Sequence, residues 1–239
     1  MVSYSDFSAN CKALQKRVAD AVATFKREPN SVKILPVTKT HPIDAANFAA
    51  SFGFSCVGEN KVQEASAKID QSRAEDATSA TLKWELIGHL QSNKAKKAVE
   101  YFDRIQSVDS IKLLEKINIE AEKISKKQRI LLQINSGRDP AKFGAEIEDA
   151  PALLERALEL KYVSVEGLMA IAPLDNNADG TRRCFFNLKD LSDELSSKFS
   201  IPLPELSMGM SSDLETAIEA GSTMIRVGTF LFGERHYNI

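Results

Sequence analysis

No apolar run in these 239 residues approaches the roughly 20 residues that a bilayer-spanning helix needs. The opening stretch, MVSYSDFSANCKALQKR, is too polar for a secretory leader. Cysteine is scarce, and Cys11, Cys56 and Cys184 are odd in number, far apart and never in CxxC spacing. That pattern argues against a disulfide framework and against a zinc site. His41, His89 and His236 have no ligand-like spacing either, so no metal is expected. A formal net charge of −2 supplies no pull toward nucleic acid or an anionic membrane. With 43% hydrophobic and 27% charged residues, the chain reads as a soluble globular protein of a reducing cytoplasm. Two lysine-rich stretches (Lys94, Lys96, Lys97 and Lys123, Lys126, Lys127) fall on helical patterns and read as solvated faces. There is no internal repeat and no low-complexity linker.

What the chain does have is alternation. An opening amphipathic helix puts Phe7, Cys11, Leu14, Val18, Val22 and Phe25 on one face. Short apolar, β-branched runs follow at 32–39, 55–59, 84–88, 104–109, 129–135, 164–171, 205–209 and 223–229. Helical patterns separate them; Pro151 marks one helix start, and Gly53 and Gly221 mark helix ends. Several runs are apolar at consecutive positions, as parallel strands covered on both faces are. Such a chain predicts a single (β/α)8 TIM barrel with an extra N-terminal helix, one domain over 1–239. A doubly wound sheet would want a GxGxxG loop after its first strand, and none is there.

In such a barrel the chemistry sits where the strands end. Lys39 closes the run Ile34-Leu35-Pro36-Val37, between Thr38 and Thr40. A lysine drawn into a barrel mouth meets desolvation, which favours the neutral amine that attacks carbonyls. The plainer alternative is a lysine snorkelling to solvent from a strand end. The loops after the seventh and eighth strands shift that balance, because barrels of this kind often build a phosphate site there. The seventh run leads through Ser207-Met208-Gly209-Met210-Ser211-Ser212-Asp213 straight into a helix, and the eighth ends in Arg226-Val227-Gly228-Thr229. Small residues let backbone N–H groups approach an anion. Ser211, Ser212 and Asp213 are also expected to cap the helix they precede. His89 is expected in a supporting or solvent role, since no acidic partner is evident for it.

The segments LPVTKTHP (35–42), VGENKVQE (57–64), WELIGHLQSNK (84–94), VEGLMAIAP (165–173), LSMGMSSDLETAIEAGSTMIRVGT (206–229) and LFGER (231–235) resemble the pyridoxal phosphate homeostasis protein family. The resemblance implies a barrel like the alanine racemase N-terminal domain, binding pyridoxal 5′-phosphate. It implies that Lys39 forms the Schiff base and that Ser207, Gly228 and Thr229 hold the phosphate with Met208 or Gly209 backbone. It places Arg226 opposite the pyridine nitrogen, and Asn60 and Met169 along the ring. Two places depart from the family pattern: Lys61 stands where an aromatic is common, and INSGRDPAKFG (134–144) matches only loosely, so Asn135 is left out of the site.

The implied role is carrier and regulator in vitamin B6 homeostasis, with no catalytic residue assigned. Its partners would be the small-molecule cofactor and, transiently, apo-enzymes that need it; nucleic acid and membrane are not expected, and the chain is expected to be a monomer. Two rivals stand beside it. One is an amino-acid racemase, against which the chain ends at Ile239 without room for a second, β-domain. A racemase also needs an acid or base on each ring face. Of Tyr4, Tyr101, Tyr162 and Tyr237, only the tail residue Tyr237 is expected to approach the cofactor. The other rival is a Schiff-base aldolase without cofactor.

Overall fold

The structure, a computed structural model, describes residues 1–75, 77–173 and 178–234. The apolar runs form β1 (Lys33–Pro36), β2 (Cys56–Glu59), β3 (Lys83–Leu86), β4 (Arg104–Val108), β5 (Gln128–Gln133), β6 (Val163–Met169), β7 (Glu205–Ser207) and β8 (Met224–Val227). Between and around them lie α1 (Tyr4–Thr24), α2 (Asp44–Phe52), α3 (Val62–Ala74), α4 (Ala95–Tyr101), α5 (Ile111–Lys123), α6 (Ala150–Glu159), α7 (Ala178–Phe199), α8 (Leu214–Glu219) and α9 (Thr229–Phe232). The strands are parallel throughout, in the order β1-β8-β7-β6-β5-β4-β3-β2. The ring closes between β1 and β2 through a bridge from Val37 to Gly58, where Thr38 N–H donates to Gly58 O at 3.0 Å. This is the expected TIM barrel, with α1 as the extra N-terminal helix. No helix among the described residues is long and apolar enough to cross a membrane.

Local chemistry explains most boundaries. Gly53 and Gly221 end their helices at φ of +103° and +101°, a left-handed conformation that costs glycine nothing. Pro151 sits in the first turn of α6. Phe7, Cys11, Leu14, Val18 and Val22 are buried along α1, and Phe7 stacks on Phe232 at a centroid distance of 5.0 Å. Burial pushes the Cys11 thiol up to about 12, so it behaves as a small core residue. Among the departures from expectation are two boundaries and one lysine. The first strand stops at Pro36, and Thr38 to His41 form a turn closed by His41 N–H donating to Thr38 O at 3.1 Å. Lys39 therefore sits in that turn. The run 223–229 splits at Gly228, where Thr229 opens the short helix α9. Lys126 is not a solvated charge; it is half-buried and donates to Val99 O and Phe102 O, the carbonyls at the end of α4.

The apolar core has two parts. A large one lies between helices and the outer face of the sheet, and a small one, built on Leu35, Val37, Ile87 and Met224, lies inside the barrel. Much of the rest of the interior is polar. Arg104, 2% exposed, donates to Glu85 at 2.8 and 3.0 Å, to Glu166 at 3.0 Å and to Glu205 at 3.2 Å. Burial works against its charge, yet Glu85 and then Glu205 more than compensate and raise it above the ordinary arginine value. Higher up, Gln106 Nε2 donates to Glu85 Oε2 at 2.5 Å.

A buried ion cluster of this kind is costly to break from one side, because the remaining carboxylates stay buried without a partner. Arg104→Ala is expected to cost about 3–5 kcal/mol and lower the thermal midpoint by roughly 6–20 °C. Replacing Arg104 and Glu85 together by methionine should recover most of that loss in the same melts. A single variant within 1 °C of the parent would contradict this account of the barrel interior.

Candidate functional site at the barrel mouth

The C-terminal ends of the strands bring the expected residues to one end of the barrel. Lys39, half-buried, follows β1; Asn60, also half-buried, follows β2; Met169 ends β6, and Ser207 ends β7 beside it. Asn60 is pinned from behind. A Cβ on Gly88 would come within 2.2 Å of Asn60 O, so only glycine lets these two strand ends approach. Met208 and Gly209 open the loop after β7, and Gly228 and Thr229 lead into α9.

Arg226 on β8 is 6% exposed. Its Nη1 donates to Ser207 O at 2.6 Å and to Ser207 Oγ at 2.8 Å, and Nη2 donates to Ala170 O at 2.8 Å. Those acceptors are all neutral. Burial pulls its pKa down to about 10, with Asp213 pulling the other way, so the group is still cationic at neutral pH. A guanidinium carries five donors in a rigid fork. This one is held in place by oxygens that do not neutralise it.

Ser207 is the hinge of that arrangement. Its hydroxyl donates to Gln106 Oε1 at 2.6 Å, and Gln106 is oriented by its own bond to Glu85. The serine proton is therefore committed to Gln106 and its lone pair to Arg226. The Met208 N–H is likewise engaged, donating to Met224 O at 3.1 Å. By contrast, among the described residues none accepts a hydrogen bond from N–H of Gly228, Thr229 or Phe230. These amides form the donor end of α9, as unsatisfied first-turn groups do. Gly209 lies at φ +97°, and a Cβ there would meet Ala217 Cβ at 2.5 Å, so the loop lies flat on α8.

Two expectations are corrected here. Asp213 does not cap α8; its Oδ1 accepts from Met210 N–H, tightening the loop instead. His89 does have an acidic partner, with Nδ1 3.3 Å from Asp109 Oδ2, while its ring stacks on exposed Phe143 at 3.8 Å. β3 and β4 are neighbours, so residues just past their ends meet; that adjacency was the signal available in the sequence. Gln106 went unnoticed because it lies inside an apolar strand pattern. Asn135 organises the loop after β5, donating to Asp139 O at 3.2 Å and Glu146 Oε1 at 3.1 Å. Tyr237 and His236 lie outside the described residues.

Residues 5–236 match the family model of the alanine racemase N-terminal domain. A pyridoxal phosphate homeostasis protein from Aquifex aeolicus is 38% identical over 230 residues, covering 95% of this chain and 99% of the relative. One from Bos taurus is 36% identical over 95% of this chain and 86% of its own length. The structure of PipY from Synechococcus elongatus, solved with pyridoxal phosphate bound, superimposes with a TM-score of 0.78 at 39% identity, over 90% of this chain and 100% of that one. Alanine racemase from Clostridium difficile, at 17% identity and a TM-score of 0.72, shares the fold over 94% of this chain and 57% of its own. The chain belongs to the pyridoxal phosphate homeostasis protein family.

The flat loop at Gly209 yields a test of the site's construction. Gly209→Ala is expected to cost about 1–3 kcal/mol, from overpacking and the left-handed backbone. Adding Ala217→Gly removes the clashing methyl, so urea unfolding of the two single variants and the double should show coupling of about 0.5 kcal/mol or more. Simple additivity would mean that the loop yields elsewhere.

Proposed function

We propose that this chain binds pyridoxal 5′-phosphate at the barrel mouth, holds it covalently through Lys39, and serves vitamin B6 homeostasis as a carrier without strong catalysis of its own. The observation that carries this reading is Arg226, a buried cation bonded only to neutral oxygens, at the same strand ends as Lys39. The residues fit the group. Free amides at Gly228, Thr229 and Phe230, with the Gly209 turn bonded to the same strand through Arg226 N–H, suit a phosphate. Arg226 suits a ring nitrogen, and Asn60 and Met169 line the ring. Ser207 acts at one remove, because its proton is given to Gln106; it aims Arg226. The Met208 N–H is similarly committed, which leaves Gly209 as the backbone donor of that pair.

When bound, the group supplies an aldehyde for the lysine and a ring able to delocalise negative charge. Arg226 limits the second property. A permanent donor opposite the ring nitrogen requires that nitrogen to be unprotonated, which makes the ring a poorer electron sink. Tyr101 closes α4 and donates to Asp70 at 2.9 Å, and Tyr162 precedes β6, so both lie at the opposite end of the barrel. Tyr4 begins α1 and packs on Phe48. None of the three serves as the second acid or base that racemisation needs. Holding and releasing the cofactor is the role these features support, and the proposal takes the protein to act as a single-domain monomer of the cytoplasm in brief contact with apo-enzymes.

The purified protein, saturated with cofactor, should absorb in the visible, and Lys39→Ala should lose that band while its far-ultraviolet circular dichroism is unchanged. Thr229→Val should weaken pyridoxal phosphate by roughly tenfold, one hydrogen bond to a charged group, and leave phosphate-free pyridoxal unaffected. Deuterium exchange at Cα of alanine should stay at the free-cofactor rate. A visible band that survives Lys39→Ala would sink the assignment, and exchange well above background would make the protein an enzyme.

A further inference from the structure

The turn that carries Lys39 is tied down on both flanks by one cluster of charged side chains. On the N-terminal side, Thr38 Oγ1 donates to Glu59 Oε1 at 2.7 Å, and Lys68 Nζ donates to Thr38 O at 2.9 Å. On the C-terminal side, Thr40 N–H donates to Glu64 Oε1 at 2.5 Å. Lys68 joins the halves, reaching Glu59 Oε1 at 2.7 Å and Glu64 Oε1 at 2.8 Å. Glu59 is fully buried and Lys68 8% exposed, while Glu59 Oε2 is buried with no partner among the described residues. Between these anchors Thr40 holds φ +65°, and its hydroxyl donates to Lys39 O at 2.6 Å.

Three of those facts are expensive for a fold that seeks only stability. A buried ion pair is often no better than apolar residues of the same volume, and an unpaired buried oxygen costs more. A left-handed backbone at a β-branched residue is an outlier that persists only where its surroundings over-determine it. Here the surroundings do so at the peptide units either side of Lys39. The cluster comes from β2 and α3, which pack beside β1, so the direction of the lysine is set from a neighbouring βα unit.

We propose that Glu59, Lys68 and Glu64 are positioning residues for cofactor attachment, fixing the direction of the Lys39 side chain through Thr38 and Thr40. This rests on the reading that Lys39 takes the aldehyde. Attachment is a condensation in which the lysine nitrogen adds to the aldehyde carbon and one water leaves, so it depends on the angle of approach. Binding of the ring and phosphate does not.

That difference supplies the test. Pyridoxine 5′-phosphate has the same ring and phosphate with an alcohol in place of the aldehyde, so its affinity reports the site without attachment. In the full-length protein, Glu64→Ala removes the anchor of Thr40 and leaves the buried Lys68–Glu59 pair in place. The rate of growth of the visible band on adding pyridoxal phosphate should fall roughly tenfold, as for loss of one charge-assisted hydrogen bond. Affinity for pyridoxine phosphate should stay within about twofold of the parent. Glu64→Gln keeps an acceptor for Thr40 N–H and should restore most of the rate. Thr38→Val, which removes only the hydroxyl anchor, should show the same split, and it serves if Glu64→Ala fails to fold. Equal losses for both ligands would mean that the cluster is scaffold, and no change in rate would mean that it does not aim the lysine; either overturns the proposal. A parent protein with no band that depends on Lys39 would instead overturn the reading on which it rests.

Discussion

The bonds from Arg104 to Glu85 set the terms for everything above them in the barrel. A narrow parallel barrel must fill its interior with side chains, and this one fills much of it with charge. Arg104 gathers Glu85, Glu166 and Glu205 at the lower end, with Arg129 and Lys33 bonded to the outer carboxylates. Because Glu85 is held there, Gln106 is oriented; because Gln106 is oriented, Ser207 must give it a proton; and Ser207 can then only accept from Arg226. Each hydrogen bond in this line fixes the donor sense of the next. The result is a cation held still at the mouth, which is the preorganisation a binding site needs before its ligand arrives.

The mouth divides its work among neighbouring strands, since β8 lies between β1 and β7. β1 supplies Lys39 and relies on β2 and α3 to hold its turn. β7 and β8 supply the flat glycine turn, the free amides of α9 and Arg226. Lys68 is engaged in ion pairs, and Arg226 is fixed against neutral oxygens. This arrangement suits a ligand that brings its own negative charge at one end and a hydrogen-bond acceptor on its ring. On the proposed reading, an arginine opposite the ring nitrogen would make the ring a poorer electron sink.

Much of this is legible in the sequence alone. Alternation of apolar runs with helical periods defined the barrel, and the glycines at 53 and 221 marked their helix ends. Lys39, Gly209, Gly228 and Arg226 could be singled out because each breaks a strand pattern at its end. What escaped were relations between strands. His89 and Asp109 lie in separate loops, and Glu59 meets Lys68 only because α3 folds back over β2. Gln106 looked like one more residue of a strand, since alternation tells which face a side chain takes and not what it meets inside a closed barrel. The strand reading of 32–39 runs on into the turn because Val37 and Thr38 are β-branched; side chains of α3 override that preference by capturing Thr38 and Thr40.

The proposed pairing of a cationic Arg226 with an unprotonated ring nitrogen can be read directly. The cofactor is labelled with 15N in its ring, loaded onto the protein, and its nitrogen resonance recorded at neutral pH. The account predicts the chemical shift of an unprotonated, hydrogen-bonded pyridine, moving toward the pyridinium position when Arg226 is replaced by glutamate. A pyridinium shift in the unaltered protein would contradict it.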